Sequence, residues 1–486
     1  MKKILYLNTS TDLSDGDQIV RQKITERTIF WIIVIGMIYR IVFATFLPIT
    51  LDEAASYYFT INSSFSDLLK ISRSEVIPPV TYLIYKFFVF YKSEIGVRWI
   101  FIVLNFIALF YLFKITKDYF LTTLFFIFSA YLSYYGSIAR MHSLNIFLSS
   151  AVCYYFLKIF EDKKILNVIL FILFSSLMIL NFYPTLALFF SFFLASVVFR
   201  NKMSVNFKKF ILLFILGGVI ILSLVFYLVL TSNISQKFSN FKIHSGLISL
   251  YIPFAFCFSE VIKYNELKTY KFLLFILLVV PLIHIFITAI KRNFYDFKFK
   301  IFLFISIISY LAIMIFSFKM PKLLLSPKYV IWLYPMFLYI LIVGLKSTKN
   351  FFKVVFMLLF LFINILSVYN ILYHNPEDWR KIYNIIAKNY NRNDMILFDA
   401  GYLYYPFAFY NNYVSQDKCV QLKPNITNNS ELSFLKSERV WLVLGHNWGR
   451  ESEYKNLISK KMKILEVFRI GDIEIILFSN EKNSVS

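Results

Sequence analysis

The stretch TIFWIIVIGMIYRIVFATFLPITLDEAASYY, residues 28–58, decides what kind of protein this is. Its first part is apolar for about 20 residues, enough to cross a hydrocarbon layer roughly 30 Å thick as a helix. Arg40 interrupts that run, and Asp52-Glu53 follow where the chain leaves it. Working outward, similar runs recur as far as Tyr373. The 486 residues are 59% hydrophobic, include 58 Phe and are only 16% charged, which excludes an ordinary soluble globule of this length.

Membrane helices are read near 28–48, 99–116, 120–138, 143–160, 165–183, 184–199, 209–230, 270–290, 300–318, 330–345 and 352–372, about eleven in all. A net charge of +23 would suggest nucleic acid in a soluble chain. Here the cations fall in short loops: Lys114 and Lys117; Lys158, Lys163 and Lys164; Arg200, Lys202, Lys208 and Lys209; Lys291 to Lys300; Lys346 to Lys353. With this number of spans they share one side with the polar N-terminus, residues 1–27, as the positive-inside rule requires of cytoplasmic loops. That places the C-terminus outside a cytoplasmic (inner) membrane and leaves no nucleic-acid partner to expect. Residues 1–27 show no removable signal peptide. Cys153, Cys257 and Cys419 form neither a disulfide framework nor a metal-ligand spacing.

The run from Pro78-Pro79 to Tyr91 carries Lys86 in its middle and is too short to span. It reads as an interfacial helix within a long external loop, 51–98. From His374 the composition becomes that of a soluble domain. PEDWRKIYNIIAKNY reads as an amphipathic helix, DMILFDA and RVWLVLGH as buried strands, and KILEVFRI with DIEIILFS as a hairpin turning at Gly471-Asp472. The expected architecture is a polytopic α-helical membrane protein: a cytoplasmic N-terminus (1–27), a transmembrane domain (28–372) and a small extracytoplasmic α/β domain (373–486).

Three groups of residues could carry chemistry. Asp52 and Glu53 sit at a membrane exit, where a partly desolvated carboxylate can act as a general base or hold a divalent cation. Solvated interface residues are the plain alternative. Arg40, about three turns earlier, is costly in a membrane helix unless it is paired or snorkels to the surface. Arg140 and His142 in SYYGSIARMHSL fall on the same expected face, and a guanidinium suits phosphate oxygens as well as it suits a lipid headgroup. Lys322 and Lys328, in MPKLLLSPKYVIWLYP, run against the positive-inside trend and point to an external anion or to headgroups. Asn181-Phe182-Tyr183-Pro184 reads as a tight turn, and His446 as structural.

In order and spacing, LDEAASYYFTINSSFSDLL, EVIPPVTYLIYKFF, EIGVRWI and SYYGSIARMHSL resemble the N-terminal half of the PMT-like glycosyltransferases of the GT-C class. That group includes the protein O-mannosyltransferases and the lipid A aminoarabinose transferase. The resemblance is good over residues 30–160 and continues more weakly through SPKYVIWLYP and EDWRKI. It implies a GT-C fold and transfer of a hexose or pentose, with inversion, from a polyprenyl-phosphate donor to a lipid, glycan or protein acceptor. It also implies that Asp52 is the essential acid, with Glu53 beside it, and that Arg140, Lys322 and Lys328 bind the donor phosphate, with Glu75 and Arg40 in support. Two positions depart from the family pattern: Ile77 stands where relatives carry histidine, and Ile138 where they carry a second acid. A transporter or flippase of lipid-linked sugars, and a non-catalytic relative, are the rival readings. Transporters tend to have interrupted helices and repeated halves, and neither is evident in the sequence.

Overall fold

The computed structural model describes residues 15–61, 63–75, 79–230, 247–259, 271–319, 326–373, 377–422, 437–445 and 453–480. Its helices, in chain order, are α1 (Asp15–Phe46), α2 (Leu51–Ile61), α3 (Phe65–Glu75), α4 (Pro79–Phe88), α5 (Glu94–Thr116), α6 (Tyr119–Ile127), α7 (Ala130–Ser137), α8 (Met141–Glu161), α9 (Ile165–Asn181), α10 (Leu186–Val198), α11 (Phe207–Leu230), α12 (Leu247–Phe258), α13 (Lys271–Asn293), α14 (Phe297–Lys319), α15 (Tyr334–Ser347), α16 (Asn350–Tyr373), α17 (Trp379–Asn389), α18 (Tyr404–Tyr410) and α19 (Glu453–Ser459). They fall into two compact units. The first comprises 1–44, 64–89 and 98–368, and the second 45–63, 90–97 and 369–486.

The first unit is the membrane body. Among the described residues, 8 helices of the chain are long and apolar enough to cross a membrane, and α9 and the stretch Tyr183–Val198 are shorter apolar helices. Large side chains such as Ile220 (69% exposed) and Ile365 (66%) cover the outside, as expected where the solvent is lipid. The interior holds small polar groups and aromatic rings. Basic loops gather at one end. Lys346 Nζ lies 2.9 Å from the Asp118 carboxylate, Arg292 Nη1 donates to the Ser347 carbonyl at 2.6 Å, Ser204 Oγ donates to the Phe160 carbonyl at 2.6 Å, and Lys298 donates to the Ile115 carbonyl.

One expected span is different. Residues 120–138 form not one helix but two, α6 and α7, interrupted at Phe128-Ser129. The interruption is stable because buried side chains meet the backbone groups it releases. Ser129 Oγ accepts from the Leu132 amide, Asn364 Oδ1 accepts from the Ala130 amide at 2.7 Å, and Arg40 donates to the carbonyls of Phe126 and Leu132. Inside a bilayer such groups would otherwise cost several kcal/mol each. Two further elements escaped the sequence reading: the buried helix α12, and a 3₁₀ turn over Pro327–Leu333 leading into α15. The short run after Pro78 is the helix α4, with Thr81, Tyr82 and Tyr85 buried while Phe87 and Phe88 stay exposed.

The second unit is built on a five-stranded sheet of β1 (Met395–Phe398), β2 (Cys419–Gln421), β3 (Arg439–Leu444), β4 (Lys463–Ile470) and β5 (Ile473–Ser479), in the order β2-β1-β3-β5-β4. β1 runs parallel to β2 and β3, while β5 is antiparallel to β3 and β4. Alternation sorts the faces. Ile396, Phe398, Trp441 and Val443 pack with α17 and α18, and Leu397, Val440 and Leu442 pack with α19. The terminal hairpin turns at Gly471-Asp472 as expected, with Gly471 at φ 55°, which a residue without Cβ adopts freely.

Candidate functional site

In the first unit the candidate residues gather around the start of α8. The chain turns through Ile138-Ala139-Arg140 between α7 and α8, and Arg140 stands at the N-cap of a 21-residue helix. Two polar knots hold that turn. Tyr85 Oη, from α4, donates to the Ala139 carbonyl at 2.6 Å. Asn105 Nδ2, from α5, donates to the Gly136 carbonyl at 3.0 Å and to Ser143 Oγ at 2.6 Å. Gly136 is required by close approach, since a Cβ there would lie 2.8 Å from Arg40 Nη1 and 3.0 Å from Asn105 Oδ1. Asn181, singled out as part of a turn, ties α8 from the other side: it donates to the Met141 carbonyl and to Asn145, and accepts from Thr81 at 2.6 Å.

Arg140 is buried, at 7% exposed, as is His142 at 5%. The His142 ring lies 5.4 Å from that of Tyr329 and 5.8 Å from that of Tyr135. Lys328 Nζ sits 4.9 Å over the Tyr329 ring, and Phe182 stacks on Tyr329 at 5.8 Å. Tyr131 Oη fixes the Lys328 turn by donating to the Pro327 carbonyl at 2.6 Å. The structure therefore brings the sequence candidates Arg140, His142 and Lys328 to one neighbourhood at the amide end of a long helix. A cation beside a helix N-terminus is suited to an anion, because free amides and the helix dipole act in the same direction. Ile138, in the same turn, is buried at 5% exposure.

Arg40 lies in a different setting. It is fully buried, its guanidinium 4.8 Å above the Phe126 ring and bonded to the carbonyls of the α6–α7 interruption. Its guanidinium does not reach the surface; it bonds main-chain carbonyls on both sides of the break between α6 and α7.

In the second unit, Asp52 and Glu53 both lie in the first turn of α2, and their environments diverge. Glu53 is fully buried, and its Oε2 accepts from the Thr50 amide at 3.0 Å and from Thr50 Oγ1 at 3.1 Å, while the Glu53 amide donates to Thr50 Oγ1 at 3.3 Å. This is a capping box, which satisfies the free amides at a helix start. Asp52 is exposed on the same turn. Beyond it α2 lies against α18: Tyr57 meets Phe409 at 5.4 Å, and Phe59 meets Tyr405 at 5.1 Å. Burial pushes the Tyr58 phenol up.

A second cluster in this unit joins Glu94 and Arg380, which stand in two of the motifs above, with Tyr410, which no motif marks. Glu94 of EIGVRWI pairs with Arg380 of EDWRKI and accepts from Tyr410 Oη at 2.9 Å. Tyr410 Oη also accepts from the Ile49 amide at 2.8 Å, and Arg380 donates to the Thr45 carbonyl at 3.1 Å. Burial works against the Arg380 charge, but the hydrogen bond and charge of Glu94 outweigh it and raise its pKa. Burial first, and the Glu94 charge second, push the Tyr410 phenol up. Opposite charges separated by hundreds of residues could not have been matched from sequence.

Lys322, Ile77 and His446 lie outside the described residues, and Glu75 closes α3 without a described side chain. Among the described residues, no three His, Cys, Asp or Glu side chains gather closely enough to hold a metal ion.

No protein-family model and no curated protein matches the sequence. Two crystal structures share the fold along nearly the whole length. ArnT from Cupriavidus metallidurans in the apo state aligns with a TM-score of 0.57 and 13% identity over 93% of this chain and 98% of that one. The same protein bound to undecaprenyl phosphate aligns with a TM-score of 0.55 and 11% identity over 92% and 97%. The fold is thus that of a polytopic GT-C membrane protein.

Proposed function

We propose that this chain is a membrane glycosyltransferase that moves a sugar from a polyprenyl-phosphate carrier to an acceptor on the outer side of the cytoplasmic membrane. The observation that carries the reading is the neighbourhood of Arg140, Lys328 and the start of α8, cations at a helix N-terminus in a fold shared with a protein crystallised with undecaprenyl phosphate. The basic loops at the opposite end of the first unit support the orientation, with the N-terminus cytoplasmic.

In this reading Asp52 is the general base. It takes the proton as an acceptor hydroxyl or amine attacks the anomeric carbon, and the bond to the lipid phosphate breaks with inversion. Arg140, Lys328 and the α8 amides stabilise the charge on the departing phosphate, joined by Lys322. The carboxylate of Glu53 is occupied at the helix start, so its part is to fix α2 and with it Asp52. The same holds for Arg40, which acts on the body of the bundle.

The interruption between α6 and α7 is the feature that favours a transporter. Its backbone is already engaged by Arg40, Ser129 and Asn364, which leaves it closed to a substrate and speaks against a transporter. The test is transfer from radiolabelled polyprenyl-phosphate sugars in membranes, wild type against Asp52→Asn at matched expression. The expected loss is on the order of 100-fold or more. Wild-type membranes that transfer none of several donor sugars, with divalent metal added, would overturn the enzyme reading, and full activity of Asp52→Asn would overturn the choice of base.

A further inference from the structure

The first unit has a second concentration of cations that the transferase reading does not use. A cavity of about 370 Å³ lies at the far end of α8 from Arg140, and Lys114, Lys117, Lys158 and Lys298 line it with a single carboxylate, Glu161. Since α8 has 21 residues, the two ends are about 30 Å apart, the thickness of the hydrocarbon layer. The lysines come from three segments: the end of α5 and the loop after it, the last turn of α8, and the first turn of α14. Loop lysines that only mark a cytoplasmic face have no reason to converge on one hollow.

Details of the cavity fit an anion. Lys158 is 2.9 Å from Glu161 and 3.4 Å from Asp162, so these carboxylates are engaged by one lysine while three others line the same space. Lys298 donates to the Ile115 carbonyl and lies 5.3 Å from the Tyr339 ring, which fixes its stem. Lys117 holds a left-handed backbone at φ 55°, where glycine or asparagine sits with less strain, so the charge there is carried at a backbone cost. Phe113 and Tyr119 form part of the wall, and Phe110 and Phe120 nearby are 53% and 49% exposed, so apolar surface continues from the cavity along α5 and α6.

We infer that this lysine-lined cavity is a binding site for a phosphate group, filled by the headgroup of an anionic phospholipid whose chains lie along α5 and α6. A phosphate oxygen cluster would relieve the repulsion among the lysines, and the apolar edge suits acyl chains better than a free ion. The inference rests on the multi-pass fold and not on the transferase activity.

The test uses the full chain in vesicles of phosphatidylcholine with increasing phosphatidylglycerol, counting the lipid retained after mild detergent extraction by native mass spectrometry. A second arm measures thermal protection by inorganic pyrophosphate. Lys114→Gln with Lys117→Asn removes two cavity charges while keeping a residue that tolerates the Lys117 backbone. Lys163→Gln with Lys164→Gln removes two exposed charges from the same end, and Lys114→Gln alone serves if the double variant does not fold. Near a membrane surface each lysine contributes roughly fivefold, so the cavity double variant should lose at least about tenfold in phosphatidylglycerol retention while the control keeps it. Pyrophosphate protection lost only in the cavity variants, without lipid preference, would keep the phosphate site and assign it a soluble ligand. Equal loss in cavity and control variants, or wild-type indifference to both probes, would overturn the site.

Discussion

Two interruptions of the membrane helices each hold a buried arginine, and they differ in what holds the backbone there. At Phe128-Ser129 the guanidinium of Arg40 is bonded to main-chain carbonyls, and Ser129 and Asn364 complete the accounting for the backbone. At Ile138-Ala139-Arg140 the backbone is instead held by neutral groups, Tyr85 and Asn105, and Arg140 is buried at the N-cap of α8, two residues before His142, whose ring meets that of Tyr329. A buried cation in a membrane helix is therefore not by itself a functional residue. Its partners decide whether it maintains the fold or is placed to receive a ligand.

The comparison breaks most directly by exchanging each arginine for methionine, which keeps length and removes charge. Arg40→Met removes two buried hydrogen bonds to main-chain carbonyls, that of Phe126 lying at the break, and should lower stability by about 3 kcal/mol, read as thermal unfolding of the purified chain. Arg140→Met should destabilise less than Arg40→Met while reducing sugar transfer on the order of 100-fold. Equal destabilisation by the two variants would erase the distinction.

The contact between the two regions sharpens it. Gly136 sits where a Cβ would crowd both Arg40 and Asn105, so Gly136→Ala should cost about 1–3 kcal/mol. In an Arg40→Met background the crowding from the guanidinium is gone, and part of that cost should vanish. A thermodynamic cycle over the two substitutions should show coupling of at least about 0.5 kcal/mol. Strict additivity would mean that Arg40 does not press on the Gly136 turn.

The helical body was legible because apolar runs of spanning length need no partner to be recognised, and so was the sheet domain, whose central strands are short apolar runs and whose hairpin carries its glycine. The interruption at Ser129 was not. Its signals are one small hydroxyl in an apolar run, an arginine about ninety positions earlier and Asn364 far downstream, and no local rule joins them. The same limit hid the Glu94–Arg380–Tyr410 cluster and the lysine cavity, whose members are ordinary in their own segments. At the candidate site, the residue types at 140 and 328 could be named from sequence, but the groups that hold them, Tyr85 and Tyr131, could not.

The smallest effect concerns the adjacent carboxylates, which repeat the comparison on the scale of one helix turn. Glu53 is engaged by Thr50, as Arg40 is by carbonyls, whereas Asp52 is exposed on the same turn. A capping box accepts glutamine as readily as glutamate, since the amide oxygen can still receive the Thr50 amide. Glu53→Gln should then shift stability by no more than about 0.5 kcal/mol and leave transfer within about threefold of wild type. Glu53→Ala, which deletes the acceptor and empties a buried site, should cost about 1–2 kcal/mol and lower transfer in proportion to the folded protein recovered. If Glu53→Gln abolished transfer while the protein unfolded at the wild-type temperature, the carboxylate charge itself would be required. Glu53 would then move from the frame of α2 into the chemistry, and the contrast between its engaged side chain and the exposed Asp52 would no longer separate fold from function.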